Sequence, residues 1–194
     1  VVASAQAWRY DPSQPTQGWL SISNLPEPRI SPSGAAAGGK VYAVGGHEGS
    51  GNTSASVYCY DPANPGSGWT ATASLPQARS LLAVTPVSNK LYALGGYTYS
   101  GDPYPHENVD CFDPVNPEAG WIADLPLPFG LKSLAATTQD GAIYAVGGHA
   151  VTGPVNTAFS YTPGQPGAQW TALASLPDVR EGLATASLEG RILA

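Results

Sequence analysis

The sequence predicts an all-β fold of four similar sheets, on three observations: landmarks that return about every 50 residues, a composition full of turn formers, and short apolar runs between the turns. Trp19, Trp69, Trp121 and Trp170 are spaced by 50, 52 and 49 residues. The pairs Leu25-Pro26, Leu75-Pro76, Leu125-Pro126 and Leu176-Pro177 are spaced by 50, 50 and 51. The chain holds 23 Gly and 19 Pro, and only 11% of its residues are charged. Long amphipathic helices have no room to form in such a sequence.

Taken in order, each repeat supplies the parts of a small antiparallel sheet. After Arg79, the run SLLAVTPV is a strand of mostly small side chains, fit for a crowded inner position. A short apolar strand ending in a double glycine follows: KVYAVGG with Gly45-Gly46, KLYALGG with Gly95-Gly96, and AIYAVGG with Gly147-Gly148. The next strand ends in an aromatic and a turn, as Tyr10-Asp11-Pro12, Tyr60-Asp61-Pro62, Phe112-Asp113-Pro114 and the weaker Tyr161-Thr162-Pro163, because Asp-Pro initiates tight turns. The repeat Trp opens the last strand. Within one repeat, residues 34–44, 55–60 and 69–73 are the β-prone stretches. The tryptophans and tyrosines are expected to bury large apolar areas between one sheet and the next.

The double glycine, the Tyr three residues before it, and the later Tyr-Asp-Pro and Trp together resemble the kelch repeat, over essentially the whole chain. The resemblance implies a β-propeller of four kelch-like blades, each four-stranded and antiparallel, set radially so that only short edges remain. The expected repeats are approximately 1–38, 39–88, 89–140 and 141–189. Residues 190–194, Gly-Arg-Ile-Leu-Ala, match the first half of GKVYAVGG and begin a partial blade. One blade is therefore expected to be split between the two termini. The junction lacks the double glycine and is shorter than its counterparts, so the chain is expected either to close as a compact ring or to associate with itself or with blades from another chain.

Composition narrows the partners. Eight Lys and Arg against 14 Asp and Glu give a net charge of −6, which repels phosphate backbones and anionic lipid headgroups. Nucleic acid is not an expected partner, and no apolar run approaches the ~20 residues of a membrane span. The start VVASAQAWRY lacks the pattern of a signal peptide, and the absence of Met suggests a processed chain or part of a larger one. Sparse charge with abundant Ser, Thr, Gly and Pro slightly favours an extracellular or cell-surface location. Cys59 and Cys111 stand at corresponding places in neighbouring repeats, too far apart for a disulfide, and are expected as free thiols.

No GxSxG, HExxH, CxxC or phosphate-loop motif is present, so the sequence points to no catalytic residues, metal or cofactor, and to a binding module instead of an enzyme. Zinc takes three or four protein ligands, and two repeat-related histidines fall short. Copper-dependent galactose oxidase has a kelch-type propeller, but its ligand set does not map here. In kelch binding domains, the residue after the double glycine and those after the repeat Arg line a pocket at one mouth of the ring. This implies His47, Tyr97 and His149, with Ser80 and Glu181 after Arg79 and Arg180. Arg29 is the first repeat Arg. In the third copy, Phe129 takes the Arg place and Gly130 the next, as Ile30 does in the first. The loops before Tyr-Asp-Pro differ most between copies, and function concentrates in such loops. The second loop is richest, with Tyr97, Tyr99, Tyr104 and His106 beside Asp102 and Glu107, a composition suited to a protein, peptide or glycan. Two alternatives stand beside this one. A sugar-modifying enzyme similar to the kelch-type sialic acid mutarotases would need Glu181 paired with His47 or His149. A structural protein would assemble through open blade edges.

Overall fold

The computed structural model describes residues 2–49, 51–99 and 104–194. They form an all-β chain with three one-turn 3-10 segments and no other helix. A two-stranded sheet opens it, β1 (Trp8–Tyr10) and β2 (Trp19–Ser21). Blade 1 follows as β3 (Ser33–Ala37), β4 (Lys40–Val44), β5 (Val57–Tyr60) and β6 (Trp69–Thr72). Blade 2 is β7 (Ala83–Val87), β8 (Lys90–Leu94), β9 (Val109–Phe112) and β10 (Trp121–Ala123). Blade 3 begins with β11 (Ala135–Gln139) and β12 (Ala142–Val146). A small loop ribbon, β13 (His149–Ala150) and β14 (Gly153–Pro154), comes next, before β15 (Ala158–Tyr161) and β16 (Thr171–Ala172) complete the blade. The chain ends in a second two-stranded sheet, β17 (Ala186–Leu188) and β18 (Arg191–Leu193).

Each complete blade is an antiparallel meander from an inner to an outer strand. The Asp-Pro turns do what their chemistry suggests: Asp11, Asp61 and Asp113 accept from the backbone N–H two residues on, at 2.9, 2.9 and 3.0 Å. A 3-10 turn then leads into the Trp strand, as at Pro15–Gln17, Pro65–Ser67 and Pro117–Ala119. The inner strands β3, β7, β11 and β17 pack side by side in that order, which makes the chain an arc of propeller blades around one axis. The fourth repeat is divided between the ends. The single blade expected to be split between the termini is not assembled: β1–β2 and β17–β18 are separate two-stranded sheets.

The core lies between the blades. One cluster joins blades 1 and 2 through Tyr42, Val44, Leu82, Leu91, Phe112 and Trp121. A second joins blades 2 and 3 through Leu94, Val109, Leu127, Leu131, Ile143 and Tyr161. The double glycine permits this contact. Gly95 has φ +60°, and a Cβ there would stand 2.2 Å from the Leu131 carbonyl oxygen of the next blade. Only a residue without a side chain admits that approach.

Each repeat Trp reaches back to the blade before it. The indole N–H of Trp69 donates to Ser23 O at 2.9 Å, that of Trp121 to Ala73 O at 2.9 Å, and that of Trp170 to Leu125 O at 3.2 Å. Every acceptor stands four residues after the previous Trp. The expectation that all four are buried holds only at Trp121: Trp69 and Trp170 are half-buried, and Trp19 is 67% exposed. Cys59 and Cys111 are free thiols.

Candidate functional site

Three backbone bridges build one end of the arc. Beyond each double glycine the chain turns and its next residue pairs with the segment entering an inner strand, as His47 with Ile30, Tyr97 with Ser80, and His149 with Lys132. The reciprocal N–H to carbonyl bonds are short, 2.8 and 2.9 Å for Ile30–His47, 2.9 and 2.8 Å for Ser80–Tyr97, and 3.1 and 2.7 Å for Lys132–His149. Three predicted site residues therefore occupy equivalent places on successive blades.

Their side chains extend into a strip across those blades. The His47 ring lies 4.6 Å from that of Tyr99, which meets Tyr97 edge-on at 5.2 Å. On the far side of Tyr97, the Lys132 ammonium sits 4.4 Å from the ring centroid, within cation–π range. His149 Nδ1 lies 2.7 Å from Glu181 Oε2. The backbone N–H of Tyr99 donates to Thr53 Oγ1 at 2.9 Å, which ties the second loop to the first. His47, Tyr97, Lys132 and His149 are half-buried, while Tyr99 and Glu181 are exposed.

Other predicted residues lie elsewhere. Ser80 is completely buried, so its backbone shapes the mouth but its hydroxyl does not reach the surface. His106 is also buried, within 2.9 Å of Thr98 Oγ1 and below the loop surface. Tyr104 is exposed and lines a hollow of about 300 Å³ with Phe129, Gly130 and Val151. Asp102 is outside the described residues. Among the described residues, no group of three His, Cys, Asp or Glu side chains is placed to hold a metal ion.

The third repeat corrects its alignment and yields a residue the sequence reading missed. Leu75 and Leu176 donate their N–H to Ala55 O and Asn156 O, and in the third repeat Leu127 makes the matching bond, to Glu107 O. The Leu-Pro landmark there is Leu127-Pro128, not Leu125-Pro126. Leu131, not Phe129, holds the repeat Arg place, since Gly96 N–H donates to Leu131 O as Gly46 N–H does to Arg79 O. Lys132 then falls beside the aromatic strip. A usable signal was present, because the landmark Leu follows the Trp by six residues in every copy once Leu127 is chosen.

The repeat arginines have internal tasks. Arg79 is fully buried and donates to Gly95 O at 3.0 Å, to Asn108 O at 3.1 Å and to the carboxylate of Asp110. Burial pulls its guanidinium toward the neutral form and Asp110 holds it charged. Arg29, also buried, donates to Ser54, Ser56 and Glu27.

Comparison with known proteins agrees with this architecture. The kelch motif matches residues 28–65 and 131–177. The solved structure of YjhT superimposes with a TM-score of 0.79 at 17% identity, over 99% of this chain and 71% of that one, a likeness of fold alone. A search of curated protein sequences gave no match. With the double glycines and the backward-reaching tryptophans recurring along it, this chain carries kelch motifs on a propeller-like all-β fold.

Proposed function

We propose that the chain is a binding module whose ligand lies across the strip formed by His47, Tyr99, Tyr97, Lys132, His149 and Glu181. The unit is residues 1–194 as one propeller, in the four repeats bounded above. The observation that carries this reading is the run of contacts from His47 through Tyr99 and Tyr97 to Lys132, which a backbone bridge joins to the His149–Glu181 pair. Faces of Tyr and His offer flat apolar area at low entropic cost. Lys132, His149 and Glu181 supply donors and acceptors at one end. A glycan or extended peptide with apolar and polar faces matches that pattern. Screening on glycan arrays and peptide libraries tests it: a binder whose affinity falls at least tenfold in Y97A and Y99A supports the reading, and a binder indifferent to both defeats it.

The His149–Glu181 contact favours a second reading, a sugar-modifying activity in which a carboxylate and an imidazole act as acid and base. Exchange spectroscopy on reducing sugars would detect accelerated anomer interconversion. In that case E181Q would abolish the acceleration while leaving the strip intact.

A further inference from the structure

Two neighbouring features of the third blade have chemistry that the fold itself does not use. The first is the charge of Lys132. The chain has three lysines, and the other two are paired with carboxylates, Lys40 with Asp61 at 4.0 Å and Lys90 with Asp113 at 3.1 Å. Lys132 is half-buried over the Tyr97 ring and, among the described residues, has no carboxylate within ion-pair distance. A ring face leaves the ammonium charge uncompensated, so an incoming carboxylate gains a full partner there. The surroundings limit how many. Glu107 in the second loop and Glu181 beside His149 are exposed, and the net charge is −6, so a single carboxylate is attracted and a run of them is repelled.

The second feature is the hollow of about 300 Å³ lined by Tyr104, Pro105, Phe129, Gly130, Ala150 and Val151. Tyr104 is 58% exposed and Val151 67%. The walls are fixed in place. The Phe129 ring meets Phe159 edge-on at 5.8 Å, and the N–H of Leu131 donates to His106 O at 3.0 Å. A Cβ at Gly130 would stand 2.0 Å from Pro105 O, so the absence of a side chain lets the second loop close against the segment entering β11. This volume is at the low end of the ~300–1,000 Å³ of ligand sites and suits one side chain. Sugar hydroxyls would lose water against such walls with little to replace it, whereas an apolar side chain gains by burial.

The two features adjoin. Lys132 and His149 pair across a backbone bridge. Gly130 stands two residues before Lys132, while Ala150 and Val151 follow His149, so the hollow begins within two residues of the bridge. Two residues of extended chain span about 7 Å, which is also the spacing of side chains i and i+2 on one face of an extended peptide.

We propose that this part of the site takes an extended peptide segment, with one acidic side chain on Lys132 and an aliphatic or aromatic side chain two residues away in the hollow. This rests on the binding-module reading and fixes the ligand as a peptide. The anchor in the hollow supplies the buried apolar contact that dominates such interfaces, and the charge contact sets register and selects the partner. The rings of Tyr97, Tyr99 and His47 run on from Lys132 and receive the rest of the segment.

The test screens the 194-residue chain on an array of acetylated, amidated nonapeptides in a Ser-Gly background, with one Asp or Glu and one Leu, Ile or Phe placed at every pair of positions. Peptides with the two residues two apart should bind best. Replacing the acid by its amide, or the apolar residue by Ser, should each weaken binding at least tenfold. K132M should weaken the acidic peptides at least tenfold and their amide versions less than about threefold. Y104S combined with V151S should weaken the apolar peptides at least tenfold and their Ser versions less than about threefold. The peptide replacements read the same preferences on the unaltered chain, so the outcome does not depend on how a variant folds. Peptide binding with neither preference overturns the proposal, and so does the absence of any peptide binding. If glycans then bind and Y97A abolishes that binding, the binding-module reading stands without the peptide. If neither class binds, both fall.

Discussion

Trp121 and Trp19 occupy the same place in their repeats, open the same strand and follow the same Asp-Pro turn. Trp121 is buried, stacks on Phe112 at 5.3 Å and donates its N–H to the blade before it. Trp19 meets the Tyr10 ring at 5.4 Å and is 67% exposed. Arg79 and Arg180 contrast in the same way at the other end of the arc. The difference teaches that a repeat residue's role is completed by the adjacent blade or half-blade, so identical motifs carry unequal energy. That is the behaviour of a one-dimensional array with nearest-neighbour coupling.

The largest effect that can break this comparison is expected at the blade interfaces. Trp121→Ala should cost about 3–5 kcal/mol in a urea titration and Trp19→Ala under about 1 kcal/mol. Equal costs would mean that Trp19 is covered. Removing one member of the buried ion pair, by Arg79→Met, should cost a similar 3–5 kcal/mol by leaving Asp110 uncompensated, while Arg180→Met should be near neutral.

A finer cut uses glycine. Gly95→Ala and Gly141→Ala both place a side chain at positive φ, but a Cβ at Gly141 meets nothing within 4 Å. The difference between their stabilities isolates the close approach of blades and should be about 1–3 kcal/mol. Smallest is a pH effect at the first blade. Tyr58 and then Arg29 hold the Glu27 carboxyl below its ordinary 4.5. A lowered carboxyl stabilises the fold above its unfolded value and loses that contribution as pH falls through the folded one. Glu27→Gln should therefore flatten the stability curve below about pH 4.5 and leave its shape unchanged near neutrality.

The strand order of the blades and the equivalence of His47, Tyr97 and His149 were legible in the sequence, because repetition fixes backbone position, whereas of four expected blades three are complete. Side-chain exposure was less so. Ser80 pairs with Tyr97 at the mouth, yet its side chain is buried, as is that of His106 in the second loop. Trp19 shares its motif with Trp121 yet is 67% exposed, and the motif does not encode that difference. Lys132 was hidden by the doubled Leu-Pro of Leu125-Pro126-Leu127-Pro128, where two registers fit locally and only the distance from Trp121 separates them.

The backward direction of the indole bonds has a consequence for biosynthesis. Trp69, Trp121 and Trp170 each take a carbonyl that left the ribosome 46, 48 and 45 residues earlier. At about 5–20 residues per second, a new blade emerges every few seconds, far longer than a hairpin needs to form. The acceptor is thus in place before its donor arrives, and the blades can be laid down in order of translation, each new one latched to a finished surface.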